Sequence, residues 1–256
     1  MVASAAPSGT STTPPGGAEV RDRGIVRLES IRAARWSVDG TAKVARDVDV
    51  GDVTSRGALS IGGKLVASTF QGRGSVEVEG PVDVAATLSA SGELRAASVH
   101  AGDLEFRGIF RCAGAIRVDR LASFRGSIET AEISAQVLQL EGGARVPGTL
   151  RATSVHARLK DSSELGTIVG GSVFVHARVP NIVDRVLLHT CTVTADRIEG
   201  EVVDLEGVDV DFVRSPRITL GRDCHVTRLE GTVVRQHPSS HVGPESRSPA
   251  PYGLRR

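Results

Sequence analysis

The sequence predicts an all-β protein built as a triangular parallel β-helix, with about 17 residues in each turn. Three observations indicate this fold. Apolar residues alternate with polar ones in short runs such as Ile116-x-Val118. Apolar positions recur about every 5.6 residues along the chain. A ten-residue pattern that starts with glycine also occurs three times, as GELRAASVHA (92–101), GSIETAEISA (126–135) and GTLRATSVHA (148–157).

The composition is that of a folded chain with little net charge. Of 256 residues, 31 are Lys or Arg and 30 are Asp or Glu, so the net charge of +1 gives no electrostatic reason to bind nucleic acid. Aromatic residues make up 3% of the chain, which leaves few rings to stack on bases. The three cysteines lie far apart, and the N-terminus has neither a basic start nor an apolar segment. We therefore expect a cytoplasmic protein without a disulfide framework or a secretory signal.

Composition divides the chain into two tails and a body. Residues 1–23 are rich in Ser, Thr, Pro, Gly and Ala, and residues 237–256 are similar, so both tails are expected to be disordered. Residues 24–236 contain evenly spread Val, Ile and Leu, and no stretch has the three-to-four spacing of an amphipathic helix. This body is the predicted β-helix domain.

An inward apolar position can be followed through most of the body. The series runs from Val48 to Val155 through Leu121 in steps of mostly five or six residues, and from Val193 to Val234 mostly in steps of five. A short strand and a corner take that many residues, so three steps close one triangular turn. Turns stack at about 4.8 Å, and roughly nine of them give a rod about 45 Å long. Residues 159–191 break the register, which predicts a bulged turn or a small insertion.

Residues with catalytic or metal-binding chemistry fall into ordinary solenoid positions. Cys112, Cys191 and Cys224 share the inward phase and are expected in the core. His100, His156 and His225 follow inward residues and should face solvent, with His100 and His156 on different sides of the prism. No phosphate-binding loop, dinucleotide, zinc-protease or serine-hydrolase motif occurs. We therefore expect a protein that is not an enzyme, with no cofactor and no metal site.

The body resembles the bactofilins, the polymer-forming cytoskeletal proteins of bacteria. Four stretches carry the resemblance: VDGTAKVARDVDV (38–50), SVEVEGPVDV (75–84), LQLEGGARVPGTLRATSV (138–155) and VTADRIEGEVVDLEGVDVDFVRSPRITLGRDCHVTRLEGTVV (193–234). The last is similar to the closing segment of a longer bactofilin-like subgroup. The resemblance implies a right-handed triangular β-helix that polymerises end to end, without nucleotide, into cytoplasmic filaments or scaffolds. Many members attach to membranes through a hydrophobic N-terminal peptide. Here MVASAAPSGT is small and weakly apolar, which makes membrane attachment doubtful.

The ends of a β-helix also favour polymerisation. Each end presents unpaired backbone and a slice of apolar core, and the sequence shows no capping helix. We therefore predict a homopolymer, with other cytoplasmic or envelope-associated proteins as further candidate partners. The predicted polymer contacts are apolar residues close to the tails: Ile25, Val26, Leu28, Ile31, Trp36, Ile218, Leu220, Val226 and Leu229.

Other repeat classes are the alternatives. A hexapeptide-repeat acyltransferase on a left-handed β-helix favours a stricter six-residue step and a catalytic histidine, for which His176 and His189 are the candidates. A polysaccharide-processing β-helix needs carboxylates and aromatic residues along a groove, and aromatic residues are scarce. A pentapeptide-repeat binding protein fits only the steps after Val193.

Overall fold

A computed structural model describes residues 19–160, 163–177 and 193–243. These residues contain no α-helix and form a parallel β-solenoid of about 12 turns with about 17 residues per turn. The predicted all-β parallel β-helix is confirmed. The expected count of nine turns is too low, because the turns before Val48 and the turn within residues 159–191 also belong to the solenoid. The right hand of the coil stays a prediction.

In the described residues ten strands follow one another in a single sheet, and each pairs in parallel with the next. Most of them continue around the corners of the solenoid, which makes them unusually long. Their bounds are β1 Glu19–Leu28, β2 Ile31–Val44, β3 Val48–Ile61, β4 Leu65–Val118, β5 Leu121–Leu159, β6 Ser163–Ala177, β7 Val193–Glu206, β8 Val208–Leu220, β9 His225–Gln236 and β10 His241–Val242.

The solenoid has three sides, and each side contributes two inward residues per turn. In the turn that starts at Val48, the buried pairs are Val48 and Val50 on side A, Val53 and Ser55 on side B, and Leu59 and Ile61 on side C. Val48 pairs with Leu65, seventeen residues later, so each inward residue lies on an equivalent residue of the next turn. Near the C-terminus the turns shorten, and Val193 pairs with Val208, fifteen residues later. The apolar columns thus form one continuous core.

The predicted inward phase is correct along most of the rod. Leu104 and Ile116 are fully buried, whereas their neighbours Glu105 and Arg117 are exposed. Leu121 is an exception: Ala122 pairs with Leu104 and points inward, because the corner before it holds one extra residue. Val234 is another exception. It is 67% exposed, and Val233 pairs with Ile218 after a register shift in the last turn.

A column of glycines lines the corner between sides B and C. It comprises Gly24, Gly40, Gly57, Gly74, Gly92, Gly108, Gly126 and Gly142, all with positive φ. From Gly40 onward, a Cβ atom would overlap the backbone carbonyl oxygen of the glycine one turn earlier. Only glycine satisfies both the backbone conformation and this close approach.

Only part of the chain between residues 159 and 191, where the predicted register breaks, departs from the regular solenoid. Ser163–Ala177 forms a regular turn that pairs with β5 on one side and β7 on the other. The extra residues belong to the corner between sides B and C: five separate the inward residues Ala157 and Ser163, and residues 178–192 lie outside the described residues. Ser163 pairs with Val193, so the chain rejoins the same sheet after this insertion.

The solenoid extends slightly beyond the predicted body at both ends. β1 starts at Glu19, because Val20 packs on the core and the Trp36 indole Nε1 donates a hydrogen bond to Asp22 Oδ2 at 2.9 Å. At the other end, β10 pairs with β9 through His241 and Val242. The predicted boundaries at residues 23 and 237 therefore each fall inside paired or hydrogen-bonded chain.

A substitution pair tests the inward phase. Leu104→Asp places an unpaired carboxylate between stacked turns and should lower the free energy of unfolding by at least about 3 kcal/mol. Glu105→Lys, one residue away, should change it by less than about 0.5 kcal/mol. Thermal or denaturant unfolding measures both values, and similar losses in the two variants would contradict the phase.

The glycine column gives a second test. Gly74→Ala introduces a side chain at φ +116° against a backbone carbonyl and should cost at least about 2 kcal/mol in the free energy of unfolding. The matched control is Gly143→Ala, where the nearest atom to the new Cβ is Ser127 Oγ at 4.0 Å. The control should stay within about 1 kcal/mol of the parent protein. Equal unfolding curves for the two variants would show that the column is not constrained.

Candidate functional site: the two ends of the solenoid

The first turn leaves its inward apolar residues partly exposed. Val20, Val26 and Leu28 are half-buried, although the residues that they contact in the next turn, such as Trp36 and Val44, are fully buried. Ile25, at the corner beside them, is 82% exposed. In the part of the chain that the structure describes, nothing lies over this end.

The backbone of β1 is paired on one edge only. Residues Glu19–Leu28 pair with Arg35–Val44 of β2, and no other described strand pairs with the outer edge of β1. Such an edge can accept another strand in parallel or antiparallel register. Asp22 is the one polar residue at an inward position of β1, and its carboxylate is held by the Trp36 indole.

The last turn also exposes apolar surface. Leu229 and Val233 point inward but are only half-buried, while Val234 is 67% and Val242 43% exposed. β10 covers only the part of β9 that belongs to side C. Most of β9 therefore has a free outer edge among the described strands.

A polar turn closes side C at this end. Ser240 is buried, its hydroxyl accepts a hydrogen bond from the Cys224 amide at 3.0 Å and donates one to the Gly221 carbonyl. Gln236 Nε2 donates to the Ser240 carbonyl at 2.8 Å. These bonds satisfy backbone groups that the next turn would otherwise satisfy. The two ends thus differ among the described strands, because the outer edge of β1 is open along its whole length at one end, whereas β10 covers one of three sides at the other.

The structure separates the predicted polymer contacts into two groups. Ile25, Val26, Leu28 and Leu229 keep exposed surface at the ends. The others are buried, and several lie one turn inside the end: Ile31, Trp36, Ile218, Leu220 and Val226. Sequence reasoning missed Val20, because it was assigned to the tail, and Val233, because the last register shift is invisible in the spacing.

The predicted placement is confirmed for Cys112, Cys224, His100 and His156. Cys112 and Cys224 are buried, and burial raises the pKa of both thiols, which keeps them protonated at neutral pH. His100 and His156 are exposed and lie on sides A and B. His225 is half-buried, and Cys191 lies outside the described residues. Within residues 19–160, 163–177 and 193–243, no group of three His, Cys, Asp or Glu could hold a metal ion.

Of the two histidines predicted as acyl-transfer candidates, the structure describes His176, which lies beside the insertion. His176 is half-buried at the end of β6, with Nε2 3.2 Å from Asp204 Oδ1. His156, one turn earlier, stacks on Phe174 with ring centroids 4.9 Å apart. His189 falls in the insertion, outside the described residues.

Surface charges commonly pair between neighbouring turns. The pairs include Arg32–Asp49 at 2.9 Å, Arg46–Glu29 at 3.1 Å, Arg111–Glu93 at 2.8 Å and Arg145–Glu164 at 3.2 Å. The hydrogen bond from Arg120 lowers the pKa of Asp103, and the Thr69 hydroxyl, with Arg35, lowers the pKa of Asp52. These pairs are solvent-exposed and each contributes little to stability.

The comparisons with known proteins give no relative. No protein-family model, curated protein or solved structure matches the chain. Among the described residues, no helix is long and apolar enough to cross a membrane.

Proposed function

We propose that this protein is a non-enzymatic scaffold that polymerises end to end into filaments without nucleotide. The observation that carries the proposal is the state of the two ends. Both ends combine half-buried inward apolar residues with an open strand edge, which is the whole outer edge of β1 at one end and the part of β9 that β10 does not cover at the other. Coaxial stacking would bury these residues and pair the open backbone in one step.

The geometry of the ends suits stacking by strand addition. β1 and β9 are ten and twelve residues long, so each can offer a row of backbone groups to a second molecule. A contact between unlike ends propagates without closing, whereas contacts between like ends must occur at both ends for a filament to grow. Asp22 keeps its hydrogen bond to Trp36 in either case, so burial would not leave its carboxylate without a donor.

The resemblance to bactofilins supports the same function. It implies nucleotide-independent cytoplasmic filaments, and a solenoid of about 12 turns is a suitable subunit for them. The proposed location is the cytoplasm, with the protein itself as the main partner. The acyltransferase alternative remains distinguishable, because it requires binding of an acyl-CoA by a compact oligomer.

Charge substitutions at the ends test the proposal. Leu28→Arg and Leu229→Arg each place a cation where stacking would bury it. Each should raise the concentration needed for assembly at least about tenfold, leaving folded monomers or dimers. The matched control is Ile109→Arg, which changes a 42% exposed residue in the middle of the rod and should assemble as the parent protein does. Sedimentation and negative-stain microscopy provide the readout.

Two results would contradict the proposal. One is a parent protein that stays monomeric at tens of micromolar. The other is long filaments from both end variants with unchanged sedimentation. A compact trimer that binds an acyl-CoA would instead favour the acyltransferase.

A further inference from the structure

Side B carries a groove that the proposed end-to-end assembly does not use. Its volume is about 560 Å³, and it runs along the rod from Thr54 to Gln139. Those two residues lie five turns apart, so the groove is about 24 Å long. Polar residues in the middle of side B form one wall: Thr54, Gln71, Ser89, Glu105, Ser123 and Gln139.

Arginines form the opposite wall, next to the glycine column. Arg56, Arg73, Arg107 and Arg125 each precede a column glycine, and Ser91 occupies the turn between Arg73 and Arg107. All four arginines are exposed. Because the glycines have no side chains, the adjoining corner leaves the guanidinium groups open to solvent.

Three of these four arginines lack the ion pairs seen elsewhere on the rod. Arg56 pairs in register with Arg73, and Arg107 with Arg125, so like charges face each other on neighbouring turns, whereas Asp39 lies opposite Arg56 on the preceding turn. Like charges directly opposite in a sheet are destabilising. Arg125 has an ion pair with Glu141 at 3.5 Å, but within the described residues Arg56, Arg73 and Arg107 have none. An anion held between them would remove this repulsion.

We propose that the groove binds an extended acidic segment of a partner protein. Guanidinium groups bind carboxylates through two parallel hydrogen bonds, and the hydroxyl and amide groups of the other wall can bond to a peptide backbone. An extended chain rises about 3.4 Å per residue, so about seven residues fill the groove. Acidic side chains at alternate positions would all face the arginine wall. Glu105 is the only acidic residue among the described lining residues, and the bound segment must place an uncharged residue opposite it.

The surroundings of the groove favour a peptide over other polyanions. Phe106 is the one aromatic residue in the lining and is 2% exposed, so no ring is available to stack on bases. The terminal segments outside the described solenoid are less suitable, because residues 1–18 contain no Asp or Glu and residues 244–256 contain one Glu and three Arg.

Fluorescence anisotropy with a labelled peptide tests the proposal. The probe is a peptide of about ten residues in which Glu and Ser alternate, added to the full-length protein. It should bind, and binding should weaken as NaCl rises from about 50 to about 300 mM. R56Q/R73Q/R107Q should weaken binding at least about tenfold. The matched control R117Q/R151Q/R217Q removes three exposed arginines that have no ion pair among the described residues, and it should bind as the parent protein does.

Competing outcomes are distinct. Equal loss in the two triple variants, or no binding by the parent protein, would overturn the proposal. Tighter binding of a single-stranded oligothymidine, or of vesicles containing an anionic phospholipid, would identify a different partner and also overturn it.

In thermal unfolding of the free protein, R73Q should melt no lower than R117Q. A lower melting temperature would show that Arg73 serves the solenoid itself. Filament formation by R56Q/R73Q/R107Q is a separate readout, so failure here leaves the assembly proposal unaffected.

Discussion

The hydrogen bonding of each turn to the next is the constraint on which the rest of the structure depends. Parallel pairing at an offset of about one turn places every residue on its equivalent in the neighbouring turn. Inward apolar residues therefore stack into columns, and outward charges meet charges. At the corner between sides B and C the same stacking brings a carbonyl oxygen into the space of a Cβ atom, which only glycine leaves empty. The repeat of about one turn thus determines the apolar core, the glycine corner and the pattern of surface charges.

The same constraint makes the ends different from the rest of the rod. Each internal turn is covered by its two neighbours, whereas the first and last turns have one neighbour each among the described strands. Half-buried Leu28 and Leu229 are the consequence, although they occupy the same inward phase as fully buried Val44 and Val213. The polar turn around Ser240 replaces the missing neighbour on one side only. End-to-end assembly would give each of these turns a second neighbouring turn, as every internal turn has.

Most of the fold could be predicted from the sequence, because a solenoid repeats its pattern many times. Alternation and spacing correctly assigned Leu104 and Ile116 to the core and Glu105 and Arg117 to solvent. Errors arose where a turn gains or loses a residue, as at Ala122 and Val233, because a shift of one residue leaves two adjacent apolar candidates. The regular turn at Ser163–Ala177 was hidden by the extra residues on either side of it.

The candidate site was less predictable, because its features depend on which residues become neighbours. Apolar character near the tails correctly predicted that Leu28 lies partly exposed at an end. The same criterion also selected Trp36, which neighbouring turns bury completely. The arginine wall is equally hidden, since Arg56, Arg73 and Arg107 are far apart in the sequence and form a row only after the turns are stacked.

Cryo-electron microscopy of assembled protein tests the central claim, that the ends join by continued strand pairing. If they do, the spacing of about 4.8 Å between strands should run along the filament axis and continue across the junctions between subunits. Subunits of about 12 turns should then repeat every 58 Å or so along that axis. Solenoids packed side by side, with their axes across the filament, would contradict the claim.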